Sequence, residues 1–380
     1  MSGELWSLLS WLLVVQIVLV ALLASVVGRI RKFLVDDRRR SATSQQQQQQ
    51  SAASGSASGG DALPTVASLD PAGERPKTIP PSSLEWSPLT EEELGVMARL
   101  QKWCRHPEST GMRFEEIPFD LLVAFVRGYA YRPDWPNASF AYLNRAYAWR
   151  REERADGTPT LFMRTGEEMP VRRALFESYC QVGPIGWDAL GHPVVLQRMC
   201  ETPPDVLFAD FDEAAVFQHF TYNREAQRAY CIAASAKSGK RVYKCVMVID
   251  MVGLSFAHMS KQMLAMLKGI NSLFSYHYPE TVHKIYVINA PFVFSTMYAL
   301  FKPLLHPITV ERLEVCGGDV LAAFEAGGVK LDGGAIPAKP TSWSKAIETL
   351  RADLADDQLL IRGYLPPADT EAMRKLGLLK

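Results

Sequence analysis

Tyr276-His-Tyr-Pro-Glu-Thr-Val-His-Lys-Ile-Tyr-Val-Ile-Asn-Ala-Pro-Phe-Val-Phe-Ser-Thr-Met-Tyr-Ala-Leu-Phe-Lys-Pro-Leu-Leu-His-Pro-Ile-Thr309 is the stretch that decides the fold. It opens polar, runs through a nearly continuous apolar, β-branched strand at 284–289, and then changes period. The helical pattern at 294–305 carries Phe294, Met297, Tyr298, Leu300, Phe301, Leu304 and Leu305, with Phe292 just ahead of it. That is more apolar surface than one core stripe needs. Two readings fit: a helix buried on all sides, or a lid facing protein on one side and lipid on the other.

Further strands of the same buried kind stand upstream, at Pro193-Val-Val-Leu-Gln197 and Val242-Tyr-Lys-Cys-Val-Met-Val-Ile-Asp250. Helical patterns at 211–237 and 259–275 lie between them. Strands alternating with helices predict an α/β fold with a mainly parallel sheet. Ahead of it, Thr90-Glu-Glu-Glu93 reads as an N-cap with an acidic first turn, and 120–129 and 139–154 are helical. These make a small helical lobe at 89–155, before an α/β domain at 170–334. Residues 335–380 read as a charged helical extension, with a helix near 342–355.

The N-terminal part differs in kind. Residues 5–27 hold no charge, and as a helix would span roughly 34 Å, enough for a bilayer core of about 30 Å. A cleaved signal peptide is the rival, but the apolar run is too long and nothing basic precedes it. Arg29, Arg31, Lys32, Arg38, Arg39 and Arg40 follow it, which predicts a single-pass protein with its domain in the cytosol; endoplasmic reticulum or Golgi membrane is favoured. Between 28 and 88 lie this basic flank, six consecutive glutamines, SAASGSASGG and a proline-rich run, a composition that predicts a disordered tether.

The 380 residues carry 41 basic and 41 acidic side chains, which argues against a nucleic-acid partner. The six cysteines show neither C-x-x-C nor zinc spacing, and no metal site is expected. Ala236-Lys-Ser-Gly-Lys-Arg241 lacks the spacing of a phosphate loop, and Gly253-Leu-Ser-Phe-Ala257 is only half a nucleophile elbow. No catalytic constellation emerges, so a non-enzymatic protein without a cofactor is expected.

The pattern YPE…K-x-Y-x-I-N-A-P-F-x-F-S-T…F-K-P-x-L-x-P-x-T resembles the CRAL-TRIO lipid-binding family, in particular the phosphatidylinositol/phosphatidylcholine transfer proteins of the secretory pathway. Gly191-His-Pro-Val-Val195, Val248-Ile-Asp250 with Gly253-Leu-Ser, and Val329-Lys-Leu-Asp-Gly-Gly334 match in the same order, over about residues 90–334. The resemblance implies a bowl-shaped domain that holds one phospholipid in an apolar pocket under a gating helix. Phe294, Met297, Tyr298, Phe301 and Leu305 would form that helix and line the pocket. It also implies a phosphatidylinositol headgroup site at Arg127, Glu280, Thr309 and Arg312, the last an arginine where lysine is usual. If Pro307 opens a helical turn, Thr309 and Arg312 share a face.

The chain departs from the choline-lipid-binding members of that family. Pro184, Val195, Cys245 and Met247 stand where those members carry four hydroxyl side chains. A buried zwitterionic headgroup would lose several hydrogen bonds there, at about 1–3 kcal/mol each. The second ligand is therefore expected not to be phosphatidylcholine but a sterol or a lipid with a smaller headgroup. The expected function is exchange of phosphatidylinositol for that second hydrophobic lipid at membranes, with a lipid kinase as a candidate partner. The alternative is a static phosphoinositide-binding scaffold.

Overall fold

The computed structural model describes residues 63–69, 85–106, 109, 111–152, 179–351, 359 and 362–379. The anchor expected at 5–27 and most of the tether at 28–88 lie outside the described residues. Among the described residues no helix is long and apolar enough to cross a membrane.

The helical lobe consists of α1 (Glu91–Cys104), α2 (Phe119–Gly128) and α3 (Trp135–Glu152). The expected capping box forms on α1: Thr90 Oγ1 accepts from the Glu93 amide at 3.2 Å, and Glu93 Oε2 accepts from the Thr90 amide at 2.9 Å. Apolar residues at helical spacing then bury Leu94, Met97 and Leu100 against Phe125, Phe140 and Leu143 of the other two helices.

The chain continues as β1 (Gln181–Asp188), β2 (Pro193–Arg198), α4 (Pro204–Asp210) and α5 (Glu213–Ser238). Asp212 caps α5, its carboxylate accepting from the Ala215 amide at 2.7 Å. Gly239 ends the helix in the left-handed conformation at φ 69°. Next come β3 (Cys245–Asp250), α6 (Lys261–His277), β4 (Val282–Ile288), α7 (Phe292–Phe301), α8 (Pro307–Glu311), β5 (Leu313–Val315), α9 (Val320–Ala326) and β6 (Val329–Leu331). The last elements are α10 (Trp343–Arg351) and α11 (Pro367–Lys375).

The six strands form one mixed sheet in the order β5-β4-β3-β2-β1-β6. β2, β3, β4 and β5 run parallel, as the alternation of strands and helices predicts, while β1 pairs antiparallel with both β2 and β6. Register divides the strands into two faces. Val194, Leu196, Val246, Val248, Tyr286 and Ile288 point to one side and make a solid core with Phe324 and Val329. Pro184, Val195, Met247, Ile285 and Leu313 are successive register partners across the sheet, with Gln197, Ile249 and Val287 in the row two residues on.

The C-terminal extension is built into the fold rather than appended to it. Trp343 is 1% exposed and donates its indole N–H to Asn223 Oδ1 of α5 at 3.1 Å. Met373 and Leu378 join the core of the helical lobe. Asp369, also 1% exposed, pairs with Arg241 and accepts from the Leu89 amide at 2.8 Å.

Candidate functional site

Two adjoining cavities lie between the second face of the sheet and the helices that follow it. The first, about 280 Å³, is lined by Gln197, Met247, Ile249 and Ile285 of the sheet, by Arg224 of α5, by Phe274 and Tyr278, and by Glu280, Thr309 and Arg312. The second, about 250 Å³, lies under α7 and is bounded by Met199, Met251, Met263, Leu267, Val287 and Leu313, with Phe294, Met297, Tyr298 and Leu305 as its outer wall. Ile249, Asn271 and Leu305 line both cavities and stand between them. The single large pocket that the resemblance implies is thus divided. Each part is below the roughly 300 Å³ at which ordinary ligand pockets begin.

Four of the five residues expected of the gating helix stand at the second cavity. The fifth, Phe301, ends α7, but its side chain lies outside the described residues. Proline geometry shapes this region. Pro303 and Pro307 break the apolar run, so that α7 ends at Phe301 and α8 starts afresh, with Pro307 at its first position. Phe292, at the start of α7, is 86% exposed.

At the other end, the polar residues converge. Lys244 Nζ lies 2.7 Å from Glu280 Oε2, and Arg312 Nη2 lies 3.2 Å from both Glu280 oxygens. Arg312 Nη1 also donates to the Val282 carbonyl at 2.7 Å. Burial pushes the Glu280 carboxyl up, but Lys244 and then Arg312 outweigh it and hold it below the usual carboxylate range. Glu280 has φ 57°, a left-handed conformation unusual for a side chain of this kind. The two cations and the close approach of the lobe hold it there: a Cβ on Gly128 would stand 3.0 Å from Pro279 Cβ and 3.3 Å from Glu280 Cγ. Thr309 and Arg312 line the same cavity, one in α8 and the other capping its C-terminus.

Arg127 is not part of this group. Its guanidinium, 4% exposed, is paired with Glu93 at 2.7 Å and donates to the carbonyls of Glu85 and Ser87, each at 3.1 Å. Burial would lower its pKa, and the bond to Glu93 raises it instead. It therefore fastens the 85–88 segment to α1 and α2, and is absent from the cavity lining. Its neighbour Gly128 is the lobe residue that reaches the cavity.

The four residues aligned with the choline-site alcohols prove to be close neighbours. Pro184 pairs with Val195, Val195 with Met247, and Cys245 is two residues back along β3. Val195 and Cys245 are fully buried, and Cys245 Sγ is 2.8 Å from Gln227 Nε2. Of the four, Met247 lines the cavity. Sequence reading missed Arg224, which lines the same cavity from α5 and is 8% exposed. It also missed a grouping of possible metal ligands: Asp188, His192 and His283 offer atoms within 4.8 Å of one another. His192 Nδ1 lies 2.6 Å from Asp188 and its Nε2 3.5 Å from Glu85. Burial pulls His192 down, yet these two carboxylates raise it to about 9. The imidazolium already balances the acids, so an ion would first have to displace its proton.

Comparison with known proteins agrees with this architecture. The family model described as "CRAL/TRIO domain" matches residues 177–325. A "SEC14 cytosolic factor" of Kluyveromyces lactis is 28% identical over 246 residues, covering 64% of this chain and 77% of that protein. The protein of the same name from Candida glabrata is 25% identical over 246 residues, covering 64% and 76%. The "Phosphatidylinositol/phosphatidylcholine transfer protein SFH11" of Arabidopsis thaliana is 28% identical over 161 residues, covering 40% and 43%.

Proposed function

Because residues 177–325 are a CRAL/TRIO domain, we propose that the protein is a non-enzymatic carrier that binds phosphatidylinositol and exchanges it for a second hydrophobic lipid other than phosphatidylcholine. The observation that carries this reading is the polarity of the paired cavities. Thr309, Arg312 and Glu280 cluster at one end, and methionine, leucine and phenylalanine side chains under α7 form the other. The Arg312 guanidinium grips a phosphate, Thr309 donates a hydroxyl to it, and Glu280 accepts from an inositol hydroxyl.

Two acyl chains resist entering water by roughly 20 kcal/mol, at about 0.8 kcal/mol per methylene. Apolar walls offered beneath α7 lower that barrier before the lipid has left its bilayer. Outward movement of α7 together with the 302–305 turn that follows it takes Leu305 from between the two cavities and joins them into one pocket. The segment 5–27 anchors the domain on the cytosolic side of its membrane, and 28–88 sets how far it reaches.

A second reading, a static phosphoinositide-binding scaffold, is favoured by one observation: each cavity is small while α7 is closed. Transfer of phosphatidylinositol between labelled vesicles separates the two, since a scaffold binds without exchanging. Thr309→Glu combined with Arg312→Gln should reduce transfer at least tenfold; the double variant should stay folded by circular dichroism, with a lowered melting temperature because Glu280 loses one of its two cations. Undiminished transfer by that double variant would remove the headgroup assignment.

A further inference from the structure

Arg224 and Glu225 are neighbours on α5 with opposite surroundings. Glu225 is fully buried and fully met: Arg150 stands 2.7 Å away, Arg228 3.0 Å away, and the Tyr278 hydroxyl donates to it at 2.8 Å. Arg224 is buried with no counter-ion among the described residues. Its Nη1 donates to Gln227 Oε1 at 2.8 Å, and its guanidinium lies 3.9 Å from the centre of the Phe274 ring. No carboxylate among the described residues comes within ion-pair distance of it.

That sets it apart from its own kind. Five arginines are buried in the described residues: Arg127, Arg132, Arg150, Arg224 and Arg241. The other four pair with Glu93, Asp134, Glu225 and Asp369 respectively. A guanidinium stays charged in a protein, and a buried charge without a partner is costly. Burial accordingly pulls the Arg224 pKa down, against only weak opposing fields from Cys245 and Tyr278. The cavity beside it holds one carboxylate, Glu280, which Lys244 and Arg312 already claim.

Its location within the cavity is equally specific. Arg224 holds Gln227, which in turn donates to Cys245 Sγ at 2.8 Å, and Met247 shares the cavity wall with it. This is the end where the choline-site alcohols are absent. A zwitterionic headgroup would bring a cation to a wall with no free acid, and a sterol would leave Arg224 unpaired. We infer that Arg224 is the recognition point for an anionic second ligand: a lipid whose acidic group, a phosphate monoester or a carboxylate, meets the guanidinium while its chains fill the apolar end. Its planar fork suits either group. This rests on reading the cavity as that of a lipid carrier, and it replaces the sterol expected from Pro184, Val195, Cys245 and Met247.

The test uses the full chain in detergent, incubated with phosphatidylcholine vesicles containing equal amounts of phosphatidic acid, oleate, cholesterol and phosphatidylinositol. Protein is recovered, and its bound lipid is extracted and weighed by mass spectrometry. Phosphatidic acid or oleate should exceed cholesterol at least tenfold. The ratio of that anionic lipid to phosphatidylinositol should fall about tenfold in Arg224→Met, fall less in Arg224→Lys, and rise in Arg312→Met. Should Arg224→Met not fold, the Lys variant and stabilisation of the parent by added oleate carry the comparison. Cholesterol in excess, or a ratio indifferent to Arg224, overturns this inference and leaves the carrier reading standing. Recovery of no lipid at all, phosphatidylinositol included, overturns both. Inorganic phosphate alone raising the melting temperature of the parent but not of Arg224→Met, with no anionic lipid recovered, would show a free-anion site and likewise end the lipid assignment.

Discussion

The two faces of one sheet are built from similar residues and do different things. On one, Leu196 and Val248 have neighbours on every side, closed over by Phe324 and Val329. On the other, Met247, Ile249 and Ile285 meet open space. Hydrophobicity does not separate them; what separates them is that one face is closed over by packed side chains while a cavity lies against the other. Side chains that alternate with period 2 therefore divide stability from function, residue by residue along the same strand.

The sharpest way to break this comparison is a matched pair of truncations. Leu196→Ala should cost about 2–5 kcal/mol in urea unfolding, because it opens a hole in a filled core. Met247→Ala, which enlarges a space already present, should cost under about 2 kcal/mol and alter lipid uptake more than stability. Equal losses would mean that both faces are packed alike. Next in size is the polar margin at the β1–β2 turn. Since His192 is raised from 6.5 to about 9, its contribution is complete below pH 6.5 and disappears as pH rises through 9. Stability should drop by up to about 3 kcal/mol across that window, and His192→Gln should flatten the curve. His283, lowered to about 4, acts on the other flank: its contribution holds above pH 6.5 and is lost as pH falls through 4. The smallest effect comes from overfilling. Val248→Leu should destabilise by about 1–3 kcal/mol, while Ile249→Phe, entering the space between the cavities, should change stability by less and slow phosphatidylinositol transfer. A larger loss of stability from Ile249→Phe than from Val248→Leu would contradict the assignment of faces.

Much of this was legible in the chain. The apolar runs at 193–197, 242–250 and 284–289 contain the strands β2, β3 and β4, although β3 starts only at Cys245 and β4 spans Val282–Ile288, and the start of α8 at Pro307 followed from proline's fixed φ. Glu280, Thr309 and Arg312, which the resemblance implied together with Arg127, stand at one cavity. What failed were features defined by distant partners. Arg127 looks like a binding residue until Glu93, 34 positions away, is found to hold it. Arg224 is distinguished by having no carboxylate partner among the described residues, and a missing partner leaves no pattern in sequence. The extension after 335 showed its amphipathicity, but Trp343 meets Asn223 across 120 residues, beyond the reach of local periodicity. β1 escaped because Gly183, Pro184 and Gly186 interrupt its apolar alternation, and β5 and β6 because three residues carry too little of it.

Arg241 closes a seam between two distant parts of the chain, binding the carbonyls of Glu85 and Ser87 as well as Asp369. Residues 63–69 pack on the same lobe further back, with Leu69 buried in its core and Leu63 and Val66 against it. Loss of the Arg241 guanidinium would therefore unlatch the approach to α1 and the helix α11 together, while residues 63–69 keep their own hold on the lobe.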